Sequence, residues 1–142
     1  MTKKTIKRVL DVKERLREVR RSELADASKQ VETAEFRAKR ADSLRARAIS
    51  AVTETGEISA RDLASRSALV ALASRDERGA RAELDTCIEE RGRCSAVLQE
   101  ADREVRMFDV LQQRLIRSDA RDQQAREQRD CDEAALRTRY GK

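Results

Sequence analysis

The chain has 142 residues, 42% of them charged and 2% aromatic, with no proline and no histidine. That composition excludes a thick globular core and removes the commonest general base and metal ligand. Its formal charge of +5 is concentrated in residues 1–21, where nine basic residues are set against three acids for a net of +6, leaving about −1 for the remainder. A basic start on a near-neutral chain suits an acidic partner at that end.

Arg, Ala, Glu, Leu and Gln are good helix formers, and without proline nothing interrupts long helices. A first helix is expected over about 3–53. Near its start Ile6, Val9, Val12, Leu16 and Val19 step by three and four, as an apolar seam requires. The seam then slips by about one residue. From Leu24 it is strict, with Leu24, Val31, Ala38, Arg45 and Val52 at a and Ala27, Ala34, Ala41 and Ala48 at d. A row of alanines lets two helices approach closely while burying less area than leucine.

A tip loop is expected at about 54–59. Gly56 can close the first helix in the left-handed conformation, and Ser59 reads as the next N-cap with Asp62 at N3, a capping-box pattern with Asp in place of Glu. Ile58 and Leu63 fall at the two ends of a hydrophobic staple. The competing turn at Gly79 lacks a staple and has strongly helical flanks.

A second helix is expected over about 60–140. It holds one heptad register, with Leu63, Val70, Glu77, Leu84, Arg91, Leu98, Val105 and Gln112 at a and Arg66, Ala73, Ala80, Cys87, Cys94, Ala101, Phe108 and Leu115 at d. Heptads on both sides of a turn predict an all-α fold: one domain over 1–142, an antiparallel coiled-coil hairpin whose second helix overhangs at the C-terminus. Folding about Gly56 matches residues whose numbers add to about 111 or 118. The lower value is preferred because it sets Ala27 against Leu84, Ala41 against Val70 and Ala48 against Leu63. The overhang is then about 25 residues, nearly devoid of apolar side chains over 117–133, and is expected to fray without a partner.

Nothing is long and apolar enough to span a bilayer or to serve as a signal-peptide core, so the chain reads as cytoplasmic, without direct membrane insertion. Cys87 and Cys94 lie at d and read as small buried hydrophobes. No catalytic motif, metal set or cofactor site is recognisable, and the expectation is a protein that is not an enzyme. Nucleic acid is a poor fit, because basic and acidic residues interleave and bases would find almost no aromatic platform. Phe36, Leu44, Ile49, Leu69 and Leu72 are apolar yet off the seam near the tip, where they form a candidate docking patch. The alternative for Leu44, Ile49 and Leu69, and the one favoured for those three, is that they broaden the seam, which does not explain Phe36 and Leu72. Met107, Val110 and Leu111 are a second off-seam group.

The opening Val9-Leu-Asp-Val-Lys-Glu-Arg-Leu-Arg-Glu-Val-Arg-Arg21, the Leu24/Ala27/Val31/Ala34/Ala38/Ala41 repeat, the length, and Asp132-Glu133 ahead of a final Arg and Tyr resemble the stalk proteins of type III secretion. These are the FliJ family of flagella and the YscO (SctO) family of injectisomes, and the Arg-rich opening inclines the reading towards the injectisome branch. The resemblance implies a cytoplasmic hairpin, similar to the central stalk of rotary ATPases and peripheral to the inner-membrane secretion apparatus. Its paired termini would bind and stimulate a hexameric secretion ATPase. The rod would link that ring to the export gate membrane protein, and some members also bind export chaperones. By position and chemistry Lys3, Lys4, Lys7, Arg8, Leu136 and Tyr140 are the candidate ATPase contacts, and the tip patch is the candidate gate contact. The alternatives are a free-standing cytoplasmic coiled-coil adaptor, scaffold or chaperone without an ATPase partner, and, as a third reading, a stalk subunit of a rotary ATPase.

Overall fold

Two helices, α1 (Lys3–Thr53) and α2 (Ala60–Tyr140), make up nearly the whole chain and pack against each other as a hairpin. The computed structural model describes residues 2–54 and 56–141; Thr55 of the expected tip loop lies outside the described residues, as do Met1 and Lys142.

The helix ends follow from local chemistry. At the start of α1 the Thr5 N–H donates to Thr2 Oγ1 at 3.2 Å and the Ile6 N–H to the Thr2 carbonyl at 3.0 Å, which makes Thr2 the N-cap. At the start of α2 the Asp62 N–H donates to Ser59 Oγ at 3.1 Å, and the Leu63 N–H donates to the Ser59 carbonyl at 3.0 Å. The Asp62 carboxylate accepts from the Ser59 hydroxyl at 2.7 Å; one methylene shorter than Glu, it meets the capping oxygen itself. Gly56 does not close α1 in the left-handed conformation, since no described glycine has a positive φ. The helix stops at Thr53, whose hydroxyl donates to the Ser50 carbonyl, so the position that a left-handed residue would occupy falls before Gly56.

The chain divides into two packed units, one formed by residues 19–98 and the other by residues 1–18 with 99–142. In the 19–98 unit, Arg66 donates to the Ala51 carbonyl at 2.6 Å, Arg45 reaches Ser74 at 3.3 Å, and Arg37 pairs with Glu83 at 2.8 Å. Residue numbers rise on one helix as they fall on the other, so the pairing is antiparallel. Ala27, Val31 and Ala34 are buried at its centre. These partners add to about 117–120, which places the unit in the higher register and overturns the preferred lower one. The reason lies with the polar seam residues: the lower register would set Glu77 against Ala34, whereas the observed one brings Arg45 to this buried carboxylate at 3.7 Å. The same shift carries Leu63 past the end of α1, and it is exposed; Ile58 is half-buried.

In the unit of residues 1–18 and 99–142, Ile6, Leu10, Ala101 and Val105 are buried. Lys13 pairs with Glu104 at 2.7 Å, Arg17 Nε lies 4.0 Å from Asp102, and Lys3 pairs with Asp119. The expected seam fails here. The inward positions of α1 are Ile6, Leu10, Lys13 and Arg17, which continue the heptad of Leu24 and Val31 backwards without a slip. Val12 is 62% exposed and Leu16 is exposed as well; Val19, which belongs to the other unit, is 52% exposed. The long stems of Lys13 and Arg17 cover the seam while their charged heads reach Glu104 and Asp102, so cationic side chains fill places that hydropathy alone would give to valine and leucine. Pairing persists to Asp119, leaving 21 residues of α2 beyond it, shorter than the overhang of about 25. Those residues stay helical to Tyr140, with ladders such as Gln123–Glu127 at 3.1 Å and Gln128–Asp132 at 3.3 Å on one turn of spacing.

Candidate functional site

The basic cluster stands on the first turns of α1. Lys3 is engaged by Asp119, whereas Lys4, Lys7 and Arg8 are exposed and make no ion pair with a described residue. Leu136 and Tyr140 are exposed on the unpaired end of α2, 17 and 21 residues past Asp119. At 1.5 Å per residue they lie about 26 and 32 Å further along that helix. The six residues therefore do not converge on one site; they form a cationic cluster and a separate Leu/Tyr pair one helical turn apart.

Of the five tip residues, the structure brings three together. Leu44 on α1 and Leu69 and Leu72 on α2 line an open groove of about 370 Å³, with Ala41, Ala48 and Ala73 beneath them and Arg37, Arg40 and Asp76 at its border. The groove lies over the alanine row, because small seam residues form a shallow floor above which the flanking leucines stand. Phe36 is 67% exposed and stands outside this lining, and Ile49, at heptad position e, lies on the opposite flank of α1 from Leu44 at g. Neither belongs to the groove.

Glu77 is the one buried charged residue among those described, 4% exposed. Its Oε1 lies 2.6 Å from Arg81 Nη2, yet no donor meets that oxygen in hydrogen-bonding geometry; Arg81 also reaches Asp42 at 3.6 Å. The cluster ties α1 to α2 around a buried carboxylate. Cys87 and Cys94 are half-buried free thiols and Cys131 is an exposed one. Among the described residues no group of His, Cys, Asp and Glu could hold a metal ion, and no helix is long and apolar enough to cross a membrane.

Sequence reasoning missed the outward placement of Val12 and Leu16. The signal was present: extending the strict Leu24/Val31 heptad back to Arg17 and Leu10 puts Val9 and Leu16 at g and Val12 at c. What hid it was the assumption that valine outranks lysine and arginine for a seam position.

Open grooves, exposed apolar strips and charged rows along two packed helices define a coiled-coil hairpin. The family model described as Flagellar FliJ protein matches residues 2–142, nearly the whole chain, and the chain belongs to that family. It is thus a type III export protein with the stalk role of that family, whose members are non-catalytic export components. The match is to the flagellar family, whereas the Arg-rich opening inclines the sequence towards the injectisome one. No curated protein and no solved structure matches the chain significantly.

Proposed function

We propose that this protein is a cytoplasmic export stalk, peripheral to the inner membrane, that binds the hexameric secretion ATPase through its basic end and contacts the export gate membrane protein through the groove of Leu44, Leu69 and Leu72. The observation that carries the reading is that Lys4, Lys7 and Arg8 are exposed and make no ion pair with a described residue, on a family member whose two helices present open grooves. Unpaired exposed cations steer and orient an acidic partner and hold little of their own fold together. A stalk seated asymmetrically in a ring binds the assembled state better than the separate subunits, and so raises ATPase activity by mass action. Export chaperones are further partners on this reading.

The test is to titrate the purified chain into the secretion ATPase of the same genome at near-physiological salt, following ATP hydrolysis and ring assembly together. Stimulation that saturates near one hairpin per hexamer, and falls when Lys3, Lys4, Lys7 and Arg8 are neutralised together with helicity intact, supports the stalk. Absence of binding assigns the chain to the free-standing adaptor class, with the same groove as its docking surface.

A further inference from the structure

The unit of residues 1–18 and 99–142 carries an apolar face that the export reading does not use. Val9 and Leu16 take position g and Val12 position c on α1; Met107 takes c and Leu111 takes g on α2. In an antiparallel pair the two g flanks lie on the same side. The bond from Lys13 Nζ to Glu104 Oε2, at 2.7 Å, fixes that side, because Glu104 is itself a g residue, one turn from Met107 and two from Leu111. Met107 is 53% exposed, and Val12, Leu16 and Leu111 are exposed with it. Apolar side chains have been set outward above a seam that holds Lys13 and Arg17, an inversion that leaves a continuous strip in water.

The charge around this strip is one-sided. Arg8 and Arg15 border it at f on α1, and Arg114 and Arg117 border it at c and f on α2. All four are exposed, and none makes an ion pair with a described residue. The acids on the same face are already neutralised, Glu104 by Lys13 and Glu100 by Arg103 at 3.5 Å. Asp11, Glu14, Asp102 and Asp109 fall at b and e, on the other flank. An apolar strip between rows of free guanidinium groups is complementary to a helix whose own apolar stripe is edged with carboxylates. A second copy of the chain would bring arginine against arginine. A bilayer would have to accept the Lys13–Glu104 pair in the middle of the strip and would find no aromatic anchor on it.

We infer that this face docks an acid-fringed amphipathic helix of a partner protein, with Val12, Leu16, Met107 and Leu111 as its apolar floor and Arg8, Arg15, Arg114 and Arg117 as its charged rim. The inference shares only Arg8 with the ATPase reading: an ATPase that does not bind removes that reading and leaves this one to its own test.

Two synthetic helical peptides with the same leucine stripe at i, i+3, i+4 and i+7, one edged with Glu and one with Lys, are titrated into the full chain by fluorescence anisotropy at near-physiological salt. The Glu-edged peptide is expected to bind at least about tenfold more tightly than the Lys-edged one. Val12→Ser with Met107→Ser should weaken it by about tenfold or more. Arg8→Gln with Arg15→Gln and Arg114→Gln should weaken it and flatten its salt dependence. Both variants alter exposed positions, and unchanged helicity shows that the fold survives. Equal affinity for the two peptides overturns the inference, as does a double serine variant that binds like the original. It is also overturned if the full chain, lacking affinity for the Glu-edged peptide, binds phosphatidylserine vesicles or self-associates on ultracentrifugation in a way that the double serine variant abolishes.

Discussion

Between residues 19 and 98 the buried line is Ala27, Val31 and Ala34 with the paired carboxylate of Glu77; in residues 1–18 and 99–142 it is Ile6, Leu10, Ala101 and Val105, interrupted by the stems of Lys13 and Arg17. The first unit uses small side chains to bring two backbones close and fixes its register with one buried acid. The second uses larger apolar residues, fills the gaps with cationic stems, and leaves valine, leucine and methionine outside. Close approach and outward display are alternative uses of the same heptad, and each unit of this chain has taken one of them.

The largest effect is expected where the alanine-lined unit is tightest. Val31 is fully buried, and Val31→Asp places an unpaired carboxylate in the seam, so it should destabilise by about 3–5 kcal/mol in urea melts followed by circular dichroism. A loss below about 1 kcal/mol would mean that this unit is not held by its small-residue seam. In the other unit Leu10→Ala should cost about 2–3 kcal/mol, against about 0.5–1 for Lys13→Ala in the same melts. Equal losses would erase the distinction between apolar and cationic seam residues there.

Smaller changes sharpen the contrast. Gly79 and Gly92 lie within α2, and a Cβ added at either meets nothing within 4 Å. Each change to Ala should therefore stabilise by about 0.5–1 kcal/mol, read as a higher melting temperature. Glu77→Leu should alter stability by less than about 1 kcal/mol, because the buried acid and its arginines roughly balance against a hydrophobic replacement. Its effect should show in register instead. With Cys94 and Cys131 changed to Ser, native Cys87 should crosslink to a Cys placed at position 31 in the parent chain. A Cys placed at position 24 should compete for it once Glu77 is gone.

The helices, the turn between them and the heptad of α2 were legible in the sequence because each is written in local terms: helix formers without proline, Ser59 ahead of Asp62, apolar residues at a and d. The slip assumed before Leu24 and the lower register were misread for a common reason. Both depend on which polar side chains tolerate a seam, and that is settled by partners far along the chain: Glu104 for Lys13, Asp102 for Arg17, Arg45 for Glu77. The grouping of the apolar tip residues was half legible. Leu44, Leu69 and Leu72 share a flank and meet over the alanines, whereas Phe36 and Ile49 are equally apolar but point from other heptad positions.

Beyond Asp119 the described peptide groups of α2 find their partners within that helix, and from position 120 to Tyr140 every residue is exposed. A helix without a neighbour has no all-or-none transition; it opens turn by turn from its free end, on a scale near a microsecond. Amide hydrogens there should exchange along a gradient that steepens towards Tyr140, while those of the seam exchange as a block. The last 21 residues of α2 are thus expected to yield before the paired residues 1–18 and 99–119 do, and a partner gripping that end would feel compliance first.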